Sequence, residues 1–447
     1  MLAACVALGG CASYHPLPLP RRPDLATSLA QLDLSLPRRG ARAPAFRVDI
    51  AKPLSLDQIG LLAILNNPDL KSAPGEIGVA RGRFLQATLL PNPSASFSYG
   101  ALLGGPGITS AITASLAQDI AALIVHDARV RSARARVYQV DADLLWREWQ
   151  VAQKARQLAV DLYWGERAIA LTRRESELIA GEIAQVRTAI AAGNLTIAAL
   201  SPLLAAQAAA AQSLAAQQLA RLKDWQALDA LLGLVPNVRF AIARPVFGPL
   251  PPDLDRLAAS LPQRRPDLVA LRFGYRAAEE NVRAAILGQF PAFTLGPAYG
   301  SDTSAIVTLG PSFTFALPIF DRNQGRIAET RATRLLLRAQ YRARLDAALG
   351  TVRALRAQLG QVAADLARAR KAAAAARALA ATARRAYAEG NLDQRSLTDY
   401  ETTALRRALQ VVALARTRGE DRVFLSVELG LGLPRTRIAP PERMRRS

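Results

Sequence analysis

Apolar positions recur with two different periods along this chain, and the order of those periods occurs twice. Ser55-Leu56-Asp57-Gln58 has the form of a capping box, in which the serine accepts a backbone N–H and the glutamine reaches back, so a helix is predicted to start there. It ends near Asn66-Asn67-Pro68, and a second helix follows Pro68 or Asp69 to about Leu90, with a counterpart from Asp267 to about Leu287. A period of two then takes over. Large apolar residues alternate with small or polar ones in Ser96-Phe97-Ser98-Tyr99, in Ala111 to Ala117 and in Ser312-Phe313-Thr314-Phe315-Ala316-Leu317, the pattern of strands with one greasy face. Glycine-rich 102–109 and short, polar 300–304 read as the turns joining two strands in each half.

Two stretches without proline follow the strands, from about His126 to Ala192 and from about Arg326 to Glu389. Each predicts one uninterrupted helix, about 65 residues and about 100 Å long at 1.5 Å per residue. Each ends at a glycine, Gly193 or Gly390, suited to a left-handed C-cap. The chain restarts at once, with Thr196 or Asp393 as N-cap. Returning helices over about 196–232 and 393–429 place Leu200, Leu203 and Leu204, and in the other half Leu397, Leu405 and Leu409, at helical spacing for a coiled-coil hairpin seam against the outgoing rods.

The recurrence is a duplication. Asn67-Pro68-Asp69-Leu70 returns as Arg265-Pro266-Asp267-Leu268 and Pro93 as Pro291, each 198 positions on, while Tyr99-Gly100 is echoed by Tyr299-Gly300. Gly193-Asn194-Leu195 returns as Gly390-Asn391-Leu392, and Leu232-Gly233 as Leu429-Gly430, both 197 positions on. Five landmarks in one order with nearly constant spacing define two repeats, placed here at 51–245 and 246–434, with a basic tail at 435–447.

Composition narrows the class. Hydrophobic residues make up 51% of the 447, but alanine inflates that figure and aromatics supply only 6%, which favours long helices over a thick core. No charge-free apolar run of about 18 residues is evident after the extreme N-terminus, so no transmembrane helix is predicted and any spanning segment must be a strand. The net charge of +21 is spread as arginines along the helices without a nucleic-acid-binding signature, so it reads as solvated helix surface and no nucleic-acid partner is expected. His15 and His126 are the only histidines, and Met1 and Met444 the only methionines, too few for a metal or haem site. No nucleophile or phosphate-loop motif is present, and carboxylates sit near arginines as surface pairs, so neither cofactor nor enzymatic activity is expected.

At the N-terminus, Leu8-Gly9-Gly10-Cys11 has the small residues and cysteine of a lipoprotein processing site, with an apolar stretch before it. Cys11 would become the acylated first residue of the mature chain, residues 1–10 being a signal remnant. A basic n-region is missing, which places the true start upstream; Leu2-Ala3-Ala4-Cys5 is a rival site in that case. Pro16, Pro18, Pro20, Pro23, Pro37 and Pro44 make 11–50 an extended leader between the lipid anchor and the folded body.

Four strands per chain are too few to close a barrel, and an open sheet leaves its edges bare. Three chains would supply twelve strands, within the range of outer-membrane barrels, and six long helices with their returns to enclose a tube. The fold class is therefore mixed α+β, with a trimeric twelve-stranded barrel continuing into a helical tunnel. At this point the chain resembles the TolC-like outer-membrane efflux proteins, in their lipoprotein branch related to outer factors of RND pumps. The resemblance rests on the Leu-Gly-Gly-Cys start, the Asn-Pro-Asp-Leu and Arg-Pro-Asp-Leu pair, Leu89-Leu90-Pro91-Asn92-Pro93, Leu317-Pro318-Ile319-Phe320-Asp321, and the two glycine turns with Leu-Gly about forty residues later.

It implies a homotrimer anchored in the outer membrane, its helices in the periplasm, that receives substrates from a periplasmic adaptor and an inner-membrane RND-type pump. Gly193, Asn194, Leu195, Gly390, Asn391 and Leu392 match the hairpin tips where adaptors dock. Asp393, Ser396 and Asp399 match the tip constriction, where a ring of three Asp399 side chains would gate by charge. The second hairpin is the expected gate, because it has Asp393 and Asp399 where the first has Thr196 and Pro202. A non-conducting coiled-coil scaffold lipoprotein of the envelope is the alternative from another class.

Overall fold

The computed structural model describes residues 14–35, 47–291 and 293–431; Cys5, Cys11 and the basic tail lie outside them. Each half runs helix, strand pair, rod and return. The first has α1 (Leu56–Asn66), α2 (Ala73–Thr88), β1 (Ser94–Gly100), β2 (Ala111–Asp119), α3 (Ile120–Ala191) and α4 (Leu200–Leu232). The second has α5 (Leu254–Ala259), α6 (Leu261–Arg264), α7 (Pro266–Leu287), β3 (Phe293–Ser301), β4 (Val307–Phe315), α8 (Gln324–Ala388) and α9 (Gln394–Glu428). The four strands form one antiparallel sheet in the order β1-β2-β3-β4.

Local chemistry starts α1 where the sequence indicates. Ser55 Oγ accepts from Gln58 N at 3.3 Å while Gln58 Oε1 accepts from Ser55 N at 2.9 Å, a complete capping box for α1. The 72 residues of α3 begin six positions earlier than the proline-free run suggested. Asp119, the last residue of β2, serves as its N-cap, accepting from Ala122 N at 2.9 Å. Strand thus passes into rod without a loop. Five described glycines take positive φ, and four of them pair across the repeats, Gly193 at 76° with Gly390 at 75° and Gly233 at 67° with Gly430 at 66°, so the duplication recurs in backbone conformation as well as in sequence.

Each repeat closes where its return helix meets its first helices. In the first, Leu54, Ile59, Leu62, Leu228 and Leu232 are fully buried with Leu158 and Val160 of α3; in the second, Leu261, Leu268, Leu425 and Leu429 do the same with α8. Burying one such side chain stabilises the fold by about 1.5–3 kcal/mol.

The leader differs from the extended spacer read from its prolines. Leu32 and Val48 are buried in the first core, a 3₁₀ turn spans Leu29–Gln31, and Ala26 bridges Leu234 while Leu54 bridges Ile242. Asp33 N donates to Asn66 Oδ1 at 2.8 Å and Asn66 Nδ2 donates back to Asp33 O at 2.9 Å. Between the prolines the leader carries Leu29, Leu32, Leu34, Val48 and Ile50, which gain more from covering α1 than from solvent.

A second difference concerns membrane-crossing helices. The stretch Ile197–Leu232 is long and apolar enough to span a bilayer by length and composition, where none was predicted. Alanines and leucines outweigh its interspersed glutamines. Only 6% of its most apolar window is buried. Packed along α3 as one arm of a hairpin, it leaves most of its surface exposed, and length and composition of this kind are weak evidence for a span.

Candidate functional site

The four strands sort most of their side chains between the two faces of the sheet, with Gln118 and Ser301 as polar residues on the apolar face. Register places Ala95, Phe97 and Tyr99 beside Leu116, Ala114 and Ile112, and Ala114 and Ile112 beside Tyr299 and Ser301 of β3. Phe293, Leu295, Pro297, Tyr299 and Ser301 then lie opposite Phe315, Phe313, Pro311, Leu309 and Val307 of β4. The other face carries Ser94, Ser96 and Ser98, then Thr113, Ser115 and Ala117, then Thr294, Gly296 and Ala298, then Thr308, Gly310, Ser312 and Thr314. One face is aromatic and aliphatic; its reverse is hydroxyl, alanine and glycine. Neither faces a core, for Phe97 is 72% exposed and Phe313 66% exposed, and Ser96 and Ser115 share a 2.7 Å hydrogen bond on the polar face. A soluble sheet buries its apolar face, whereas a barrel wall in lipid shows it outward and lines its lumen with the other.

At the opposite end, about 100 Å away by the rise of the rods, the hairpins turn. Gly193 N donates to Ile190 O at 2.9 Å and Asn194 N to Ala189 O at 2.8 Å, and Gly390 N and Asn391 N do the same to Tyr387 O and Ala386 O at 3.0 and 2.7 Å. This pairing satisfies the last carbonyls of each rod and requires the left-handed glycine. Asn194, Leu195, Gly390 and Asn391 are exposed while Leu392 is half-buried, so the residues matched to adaptor contacts cap the tips of both hairpins.

After the turns the two hairpins diverge. Thr196 makes no side-chain cap, contrary to expectation, and a 3₁₀ turn over Ile197–Ala199 precedes α4; with Pro202 lacking a donor so near the start, the first turn is tightened instead of capped. Asp393 accepts from Ser396 N at 2.9 Å and from Ser396 Oγ at 2.8 Å. Those bonds hold its carboxyl below the ordinary aspartate value. Asp393 and Ser396 are therefore turned onto each other, and Asp399 is left exposed on the next turn. Opposite it on α3 lies Glu182, whose carboxyl is pushed up by burial and then by the charge of Asp399, with Arg395 opposing. Sequence reading missed Glu182, because nothing local marks an acid that meets its neighbour across 217 positions.

Missed too was the seam between hairpins. Arg416 of α9 donates to Asp161 of α3 and to Glu420, each at 2.9 Å, and Arg406 donates to Glu175 at 2.7 Å. Burial, followed by a hydrogen bond to Glu420, pushes the Asp161 carboxyl up to about 7. Acids on α3 thus face arginines on α9 along one line.

Residues 257–430 match the family model described as outer membrane efflux protein. The matched residues lie within the second repeat. No curated protein matches the sequence. Similarity of fold to solved structures extends over both repeats. The open-state MtrE outer membrane channel of Neisseria gonorrhoeae superposes with a TM-score of 0.69 at 18% identity, over 85% of this chain and 90% of MtrE. The CmeC outer membrane channel of Campylobacter jejuni gives 0.67 at 15% identity, over 85% and 86%. The outer membrane protein VceC of Vibrio cholerae gives 0.66 at 19% identity, over 85% and 97%. The fold shared with these structures therefore covers the first repeat, which the family model does not reach, as well as the second.

Proposed function

We propose that this chain is the subunit of an outer-membrane efflux channel, a ring of three copies whose twelve strands span the membrane and whose helices form a periplasmic tunnel. The observation that carries this reading is the two-faced sheet, apolar on one side and hydroxyl-lined on the other, with neither side buried. Among the described residues β1 and β4 keep one edge each without a strand partner, which ring closure removes. β1 follows a helix and β4 precedes one, so β4 of one copy runs antiparallel to β1 of the next. The bare face of α4 supports a neighbour along the tunnel as well. MtrE and CmeC, which share the fold, are outer membrane channels, in keeping with this role.

In the same reading Cys11 is the lipid attachment site, and the repeats at 51–245 and 246–434 are the structural units. A periplasmic adaptor bound to an inner-membrane RND-type pump engages the tips at Gly193, Asn194, Leu195, Gly390, Asn391 and Leu392. Asp399 is the gate residue, with Asp393 and Ser396 shaping the turn that presents it. Purified chain in planar bilayers tests the proposal: discrete conductance steps together with a detergent-corrected mass of three chains are expected. A monomeric mass with no conductance, with or without adaptor, would establish the non-conducting scaffold instead.

A further inference from the structure

Where the sheet meets the rods, apolar and charged side chains come together around one cleft. Alternation along β4 carries its apolar row on to Leu317, two residues past Phe315. Leu317, Phe290 and Phe320 are all exposed there, Phe320 at 90%. Beside them opens a cleft of about 880 Å³, walled by the start of α3, the end of α7 and the start of α8. Arg129 of α3 and Arg326 and Glu329 of α8 line it. Among the described residues, none of these three charged groups has an ion-pair or hydrogen-bond partner. Arg326 and Glu329 are three positions apart on one rod, near enough to pair, and do not. Two further carboxylates at the rim, Asp119 and Asp321, are each held by a backbone N–H, that of Ala122 at 2.9 Å and that of Asn323 at 2.8 Å.

Each feature narrows what the cleft can hold. Exposed apolar side chains that continue a lipid-facing row belong where acyl chains end and headgroups begin. Guanidinium groups without counter-ions suit a phosphate, whose oxygens accept from them in pairs. Three carboxylates against two guanidiniums leave no surplus of positive charge, so a purely anionic headgroup gains little here. The unpaired carboxylate of Glu329 offers a seat for a cation beside the phosphate. A phosphate joined to a short amine meets both conditions. We propose that this cleft binds one zwitterionic phospholipid of the phosphoethanolamine class, with Arg129 and Arg326 on its phosphate, Glu329 on its ammonium, and Leu317, Phe290 and Phe320 against its acyl chains. The proposal rests on the membrane-spanning reading of the sheet given above. Every group named belongs to one chain, so one lipid per chain is expected.

The test uses the full chain in detergent and native mass spectrometry, with phosphatidylethanolamine, phosphatidylglycerol and inorganic phosphate as probes. One phosphatidylethanolamine per chain is expected, held about tenfold more tightly than phosphatidylglycerol and not displaced by millimolar phosphate. This comparison needs no variant. Arg129→Gln and Arg326→Gln should each weaken retention about tenfold, the weight of a charge-assisted bond. Arg377→Gln removes the same charge from an exposed position far along α8 and should leave retention unchanged. Glu329→Gln should bring the two lipids to equal binding. Phosphatidylglycerol held as tightly by the wild type, displacement by phosphate alone, or equal losses in Arg326→Gln and Arg377→Gln overturns the inference. Mass and conductance are recorded alongside: a conducting trimer that retains no phosphatidylethanolamine sinks this inference alone, and a lipid retained through Arg129 and Arg326 by a chain that neither assembles nor conducts sinks the channel reading alone.

Discussion

The two repeats share one path through space and close it with different chemistry. In the first, Asn67 donates from Nδ2 to Leu231 O at 3.1 Å and accepts from Asp69 N and Leu70 N, each at 3.1 Å, so a neutral amide ties the last turn of α4 to the start of the repeat. In the second, the equivalent position is Arg265, which is buried and paired with Asp267 at 2.8 Å and with Glu428 of α9, while Arg264 donates to Gly430 O at 3.3 Å. Same backbone junction, one neutral clamp and one ionic clamp. The rods differ likewise: α8 carries thirteen arginines and one lysine against three acids, whereas in α3 acids nearly balance bases. Duplication preserved what the backbone needs and left the side chains to diverge.

The largest difference between the clamps should appear on removing their centres. Arg265→Ala removes the nearest cation from buried Asp267 and Glu428, leaving only Arg344 at 3.7 Å from Asp267, and is expected to cost about 3–5 kcal/mol. Asn67→Ala leaves a carbonyl and two backbone donors to find water and should cost about 1–3 kcal/mol. Thermal unfolding in detergent, followed by tryptophan fluorescence, measures both, and equal losses would erase the distinction.

The seam joining the repeats is sharpened by pH. Because Asp161 is pushed up to about 7 by burial, the folded chain holds its proton where the unfolded chain has released it. Its contribution is fully present below about pH 4, declines as pH rises toward about 7, and is absent above. A melting temperature that falls over that window in the wild type and falls less in Asp161→Asn is the expected result; a parallel slope in both would assign the effect elsewhere.

At the tips the repeats should behave alike for one substitution and unlike for another. Gly193→Ala and Gly390→Ala both force a left-handed alanine, at about 1–2 kcal/mol each, and local hydrogen exchange at residues 186–194 and 383–391 should quicken equally. Asp393→Ala removes a formed cap and should cost about 1 kcal/mol. Thr196→Ala should cost close to nothing, since no cap is present. Comparable fraying of α4 and α9 in these two variants would show that the second hairpin has no better-held start.

Much of this molecule is written in short-range terms. The capping box at Ser55, the glycine turns at Gly193 and Gly390, the proline-free rods and the alternation in β4 each concern residues within a few positions, where steric and hydrogen-bonding rules act without knowledge of the rest of the chain. For that reason the element order, the duplication and the two faces of the strands were legible in the amino-acid sequence. Thr196 shows the limit even there: its type suits a cap, but the 3₁₀ turn that follows carries the amides elsewhere.

Only the tertiary structure decided what meets across long separations. It brought Leu32 and Val48 of the leader into the first core, set Glu182 beside Asp399, joined Asp161 to Arg416, turned Asp393 onto Ser396 and left Asp399 exposed, and gathered Arg129, Arg326 and Glu329 around one cleft. Burial, ion pairing and strand register depend on which surfaces come together in three dimensions, and a side chain's local sequence does not name the partner that will desolvate it.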